Sequence, residues 1–239
     1  MIGLGTIVNA GAIILAGIFG ILFGGILKEE VQKTLMAATG LCVLFIGIGG
    51  TLKEMLSISE GELSSGGSMM MIGCFAAGSL IGEWIDIERR MEQFGSWLKV
   101  KTKSEGDSYF IEGFVTASLT VCIGAMAVVG AIQDGISGDY SLLAAKAVLD
   151  FIIIFIMTSS LGKGCLFAAI PVALFQGSVT LLARLIEPLL TERALSNLSL
   201  TGSMLIFCVG VNLIWGKKIK VANMLPTMVF AVVWAFLPI

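Results

Sequence analysis

The chain has 239 residues, of which 56% are hydrophobic and 13% charged, and its mean hydropathy is +0.98. That balance excludes a soluble domain, because nearly the whole length must lie in lipid or against other apolar segments. A net charge of −2 offers no basic field for nucleic acid, and the absence of histidine removes the commonest metal ligand and the usual neutral-pH general base.

A spanning helix needs about 20 mainly apolar residues. Eight segments approach that length: Ile2 to Leu27, Leu35 to Leu52, Gly66 to Ile85, Phe110 to Ile132, Tyr140 to Ser159, Gly164 to Ile186, Leu200 to Trp215 and Val221 to Pro238. They predict an all-α polytopic transmembrane protein of about eight helices, forming a single integral membrane domain over residues 1–239. The first run begins at Met1 without a basic stretch before it, so it is expected to be a retained helix, not a cleaved signal peptide. The second and seventh segments are short, and tilt or packing must compensate. Gly17, Gly20 and Gly24 in the first segment and Gly78 and Gly82 in the third recur at helical spacing. Such stripes serve close packing, within the subunit or at a homodimer contact. Five single cysteines (Cys42, Cys74, Cys122, Cys165, Cys208) lie in apolar runs with no paired spacing, so neither a disulfide framework nor a metal site is expected.

Orientation follows from the 15 Lys and Arg residues, because positive loops stay cytoplasmic. With the N-terminus outside, Lys28, Lys33, Arg89, Arg90, Lys99, Lys101, Lys103, Lys163, Lys217, Lys218 and Lys220 fall inside. Only Lys53, Arg184 and Arg193 fall outside, and Lys146 lies within the membrane. Both termini are therefore expected outside. Trp84, Trp215, Tyr109 and Tyr140 sit at expected helix ends, as an aromatic belt requires. The long inner stretch from Ile85 to Asp107 places Ile87, Met91, Phe94 and Leu98 on one helical face. It reads equally as a helix lying on the inner leaflet or as a solvated positive loop.

An internal likeness joins NAGAIILAG from Asn9 to QGSVTLLAR from Gln176, and TGLCVLF from Thr39 to TGSMLIF from Thr201, with Glu30 opposite Glu192. In this topology the first and sixth helices run in opposite directions. The units 1–85 and 164–239 would then form an inverted three-helix repeat around central helices in 110–159, a construction recurrent in secondary transporters.

The polar atoms at membrane depth are few. Lys146 and Asp150 stand four apart in AAKAVLDFIIIFIM, on one helical face, where they can pair in a setting that costs a lone charge about 2.5–3.5 kcal/mol or more. The pair reads either as a coupling-ion or proton site, opened by protonation of Asp150 or by a competing cation, or as a permanent clamp. Asn9 and Gln176 each place an amide in an apolar helix, where it must find a partner helix or line a cavity. In AIQDGISGD, turn chemistry accounts for Gly135, Gly138 and Asp139, whereas Gln133 and Asp134 end a helix and either cap it or face an aqueous vestibule. Asn223 and Pro226 in VANMLPTM mark either a helix broken at a binding site or a helix start at the inner interface.

The run CIGAMAVVGAIQDGISGDYSLLAAKAVLD, with Pro171, FQGSVTLLA, VANMLPTMVFA and the opening VNAGAIILAGIFG, resembles the bacterial membrane family of domain of unknown function 554, the YqgA-like proteins. The resemblance covers essentially the full chain. It implies an integral protein of the bacterial inner membrane and no particular activity. Asn9, Gln133, Asp134, Gly135, Gly138, Lys146, Asp150, Gln176, Gly177, Asn223 and Pro226 match family-type positions.

Two function classes stand from the residues. One is a secondary transporter or permease for a small solute, with Lys146, Asp150, Gln176, Asp134, Gln133, Asn9 and Asn223 as candidate binding residues. No phosphate-binding GxxxxGK[ST] loop occurs, so no nucleotide or other cofactor is expected. The acids of the outer loops (Glu54, Glu60, Glu62, Asp134, Asp139, Glu187, Glu192) mildly favour a cation or amine entering from outside. The other class is a passive channel or a structural membrane protein in which the charged pair is a clamp. An enzyme is not expected, because no nucleophile and base arrangement is recognisable.

Overall fold

Long apolar runs leave the backbone only one way to satisfy itself in lipid, and the chain takes it. A computed structural model describes residues 2–24, 26, 28–59 and 62–237. The expected segment ends at Leu27 and Pro238, the start at Met1 and the outer acid Glu60 lie outside the described residues. The helices are α1 (Leu4–Gly24), α2 (Glu29–Met55), α3 (Ser68–Ile85), α4 (Ile87–Lys101), α5 (Phe110–Cys122), α6 (Ala125–Ser137), α7 (Ser141–Leu161), α8 (Ala169–Leu181), α9 (Ala183–Ile186), α10 (Glu192–Trp215) and α11 (Pro226–Trp234). Three 3₁₀ turns, Lys163–Ala168, Glu187–Leu189 and Val221–Met224, adjoin α8, α9 and α11.

The expectation of eight spanning helices is corrected. Among the described residues six helical segments are long and apolar enough to cross a membrane, and α5 with α6 makes a seventh only as a pair bent by 63°. The expected unbroken segment from Phe110 to Ile132 is thus two half-helices. The last segment is only Val221–Trp234, which at about 1.5 Å per residue falls short of a hydrocarbon core about 30 Å thick. Its 3₁₀ start gives way to α11 at Pro226, a residue that fits a first helical position because it lacks an N–H. Conversely α2 and α10 are longer than their apolar cores suggested, with 27 and 24 residues, because polar turns at their ends extend them beyond the lipid-like stretch.

Two surfaces bound the bundle. The start of α1, the end of α2, the end of α6 and the start of α10 share one; between α2 and α3 it carries a β-hairpin, β1 (Leu56–Ser59) paired antiparallel with β2 (Glu62–Ser65), with Ile58 opposite Leu63. The other carries α4. We call them the hairpin face and the α4 face. The loop reading of the Ile85 to Asp107 stretch gives way to a helix: Ile87 and Met91 pack on the core, Leu98 is buried, and Phe94 stacks on Trp97 at the surface.

Glycines decide how the helices meet. α1 runs parallel to α7, with Gly5 against Leu143, Gly20 against Thr158 and Gly24 against Ser159. α2 runs antiparallel to α10, with Gly47 on Phe207 and Gly210 on Leu44. α3 packs on α11 through Gly78 at Thr227, and on the preceding 3₁₀ turn through Gly82 at the Asn223 carbonyl. The stripes on α1 and α3 are therefore spent within the subunit, which removes them as motivation for a homodimer. A Cβ on Gly82 would lie 1.7 Å from the Asn223 oxygen, whereas one on Gly49 would meet nothing within 4 Å. Gly82→Ala is expected to cost about 1–3 kcal/mol by overpacking. Gly49→Ala should be neutral or stabilise by about 0.5–1 kcal/mol through helix propensity. Thermal unfolding of the two purified variants in one detergent checks the contrast.

Candidate functional site

The site begins with a break in the backbone. α5 stops at Cys122, Ile123 is extended, and Gly124 adopts φ 137° and ψ 147° before α6 begins. That conformation is open to glycine and costly for any residue with a Cβ. A helix stopped at mid-segment leaves its last carbonyls without intrahelical donors, and lipid supplies none.

Lys146 answers that need. Its Nζ donates to the Val121 carbonyl at 2.8 Å and to Asp150 Oδ2 at 2.5 Å, one turn along α7. An ammonium at the carbonyl end of a half-helix also faces the favourable pole of the helix dipole. Asn9 of α1 donates through Nδ2 to the same Asp150 oxygen at 3.0 Å and to Gln176 Oε1 of α8 at 3.3 Å. Lys146 and Asp150 are 6% and 4% exposed, and Asn9 and Gln176 are fully buried. Four of the seven candidate residues therefore form one connected cluster, drawn from three helices and resting on a fourth. Burial makes the ion pair conditional: each charge is tolerable because the other is present, and the pair as a whole adds little to stability.

The other three candidates lie elsewhere. Asp134 is fully buried at the hairpin face, where its two oxygens accept from the backbone N–H groups of Gly3 (3.2 Å) and Gly5 (3.0 Å). It caps α1 across 131 positions of sequence. Gln133 beside it is exposed. Asn223 is at the α4 face, accepting from the Glu88 N–H at 2.7 Å and donating to Glu83 at 2.7 Å. There Lys217 bridges Glu88 (2.8 Å) and Glu92, and Lys220 pairs with Glu83 at 2.5 Å. This ionic cluster escaped the sequence reading. Its only local signal was the run of Lys217, Lys218 and Lys220 facing an acid-bearing helix.

Two clefts approach the break. A polar one of about 350 Å³ opens at the α4 face and follows α5 from Glu112 past Thr116 to Leu119, with Glu88, Glu92 and Lys217 at its mouth. It ends two residues short of Val121. The larger, about 650 Å³, is lined by apolar side chains such as Ile123, Phe175, Leu198 and Met228. Its one hydroxyl, on Ser118, is already donated to the Phe114 carbonyl. A polar solute would find no partner in it, so the smaller cleft is the chemically relevant one.

Burial alone would lower the Lys217 pKa, but hydrogen bonds to Glu88 and Glu92 outweigh it and hold the lysine above its ordinary 10.5. Its bridging contribution is therefore complete below pH 10.5 and is lost as the pH climbs through the higher folded value. Lys217→Met should destabilise by at most about 1 kcal/mol at neutral pH, given its half-exposed position. The difference from the unsubstituted chain should close only above pH 10.5, which unfolding curves across pH would record.

Residues 4–236 match the protein family described as "Protein of unknown function (DUF554)". The "Uncharacterized membrane protein YdfK" of Bacillus subtilis (strain 168) is 30% identical over 232 residues, covering 97% of this chain and 95% of that one. The "Uncharacterized protein YqgA" of Escherichia coli (strain K12) is 28% identical over 232 residues, covering 95% and 94%. No solved structure matches. With a family match across almost its whole length and a membrane-protein relative of equal extent, this all-α polytopic chain is a member of the DUF554 family.

Proposed function

We propose that this protein is a secondary transporter of a small solute, a cation or amine being the class its site suits, and that the Lys146–Asp150 pair at the α5–α6 break is the coupling site. The observation that carries the reading is that Lys146 already occupies a cation seat: a carbonyl from a broken helix and a carboxylate converge on one ammonium. Discontinuous helices whose freed carbonyls coordinate a cation near the bilayer midplane are a recurrent transporter device. A competing cation, or a proton on Asp150, would release Lys146 and change what the break can hold. The smaller cleft carries three acids, Glu88, Glu92 and Glu112, against the one lysine, Lys217, that bridges the first two, and this excess of acid suits a positively charged passenger.

The inverted-repeat reading gains support from contacts. α1 packs on α8, α2 on α10 and α3 on α11, so each helix of the first unit touches its counterpart in the second. Asn9 and Gln176, equivalent in the repeat alignment, hydrogen-bond to each other, as residues beside a pseudo-two-fold axis would. In this reading the hairpin face is outside the bacterial inner membrane and the α4 face, with most of the Lys and Arg residues, is inside.

A second reading, a passive channel or a structural membrane protein with the pair as a clamp, is favoured by the fact that the ammonium already has two partners. The double replacement Lys146→Met/Asp150→Leu separates the two. Apolar substitution of a whole buried pair is expected to leave the fold within about 1–4 kcal/mol of the original or improve it, while Asp150→Leu alone should cost about 3–5 kcal/mol by stranding the lysine. If transport is the function, a thermal-shift screen of alkali cations, amines and amino acids finds a ligand that stabilises the unsubstituted protein and neither Asp150→Asn nor the folded double variant. A double variant that keeps full function in cells would establish the clamp instead.

A further inference from the structure

Helical threonines in this protein ordinarily return their hydroxyl to the carbonyl one turn earlier, as Thr39, Thr51, Thr120 and Thr201 do. Besides Thr158 on α7 and Thr227 on α11, two do not, Thr6 on α1 and Thr180 on α8: both are buried, 7% and 4% exposed, and neither Oγ1 has a hydrogen-bond partner among the described residues. Their placement gives this meaning. α1 and α8 run antiparallel, with Gly17 against Leu166 toward the α4 face and Asn9 against Gln176 farther toward the hairpin face. One more turn in that direction brings Thr6 on the Asn9 side of α1 and Thr180 on the Gln176 side of α8.

The two amides contribute a further orphan each, and charge fixes which. A carboxylate can only accept, so Asn9 must turn its Nδ2 to Asp150; the same NH₂ then requires Gln176 to present Oε1. Asn9 Oδ1 and Gln176 Nε2 are left without partners among the described residues. The seam between α1 and α8 thus holds an acceptor, an amide donor and two hydroxyls able to act either way, all buried and all unmet. Buried water characteristically binds where several such groups would otherwise stay unsatisfied.

We propose that the α1–α8 seam binds a short file of water molecules held by Thr6, Asn9, Gln176 and Thr180, and that this file is the proton path between Asp150 and the hairpin face. The hydration stands by itself, and the proton path rests on Asp150 as the coupling group proposed above. A proton entering at the hairpin face adds to the first water as each successive water or hydroxyl accepts one proton and passes another on. The threonines end unchanged. The amides orient the last water and carry no proton, and the proton ends on an Asp150 oxygen, which then no longer holds Lys146 as an ion pair. The reverse sequence returns the proton. The titratable groups facing Asp150 are Lys146 on its own helix and the Cys122 thiol on α5; α1 and α8 contribute Asn9 and Gln176. The cleft from the α4 face approaches from the other side and ends at Leu119, two residues short of the Val121 carbonyl that Lys146 holds.

Water-edited solid-state NMR of the full chain in lipid bilayers, with ¹⁵N in glutamine, tests the seam directly. The Gln176 side-chain signal, identified by its loss in Gln176→Leu, should receive magnetisation from water nearly as fast as exposed Gln133. In Thr6→Val/Thr180→Val that transfer should fall severalfold, and Thr6→Ser/Thr180→Ser should keep it. Should the double valine variant not fold, Thr180→Val alone carries the comparison. Slow transfer in the unsubstituted chain, or transfer indifferent to valine, would overturn the water file. A hydrated seam in a protein whose ligand response survives Asp150→Asn would overturn the coupling role while leaving the water file intact; a dry seam with that response abolished would do the opposite.

Discussion

A lysine ammonium spans a gap that the backbone leaves open inside the bundle. Between Cys122 and Ala125 the chain gives up helical hydrogen bonds, and the Val121 carbonyl takes its donor from Lys146. The lysine in turn requires Asp150, Asp150 is shared with Asn9, and Asn9 fixes the orientation of Gln176. Four helices are thereby tied to a single carbonyl at the end of a half-helix, and the energy of that tie is electrostatic and short-ranged, not a matter of buried area.

Around this centre the packing is held by small residues and by caps made at long range. Lipid gives helices no hydrophobic reason to associate, so close approach through Gly20, Gly47, Gly82 and Gly210 does that work. At the hairpin face Asp134 ties α6 to the start of α1, and at the α4 face Asn223 and Lys217 tie the α10–α11 connection to α4. The centre is thus clamped from both ends by polar contacts.

The all-helical membrane class was legible from composition and run length; the spacing of Lys146 and Asp150 allowed them to pair but left either free to turn toward a different helix. Asn9 and Gln176 stood out because amides in apolar runs must find partners, although nothing in the sequence said that they would find each other. The break at Gly124 was hidden: VCIGAMAVV is as apolar as its neighbours, glycine is ordinary in membrane helices, and hydropathy carries no information about φ. Asp134 and Asn223 were visible as polar residues, but their partners lie 129 to 140 positions away, beyond the reach of any local pattern. The strands Leu56–Ser59 and Glu62–Ser65 carry no legible signal either, since alternation over only four residues a strand is indistinguishable from a loop.

The placement of the charges has a consequence for biogenesis. When α7 leaves the ribosome, its lysine and aspartate can already satisfy each other within one turn, and both outside partners of the pair, Asn9 and the Val121 carbonyl, belong to segments made earlier. Only Gln176 is synthesised later. A helix bearing two charges therefore never has to wait in the bilayer for a downstream segment to neutralise it, and the arrival of α8 completes a network whose ionic part is already in place.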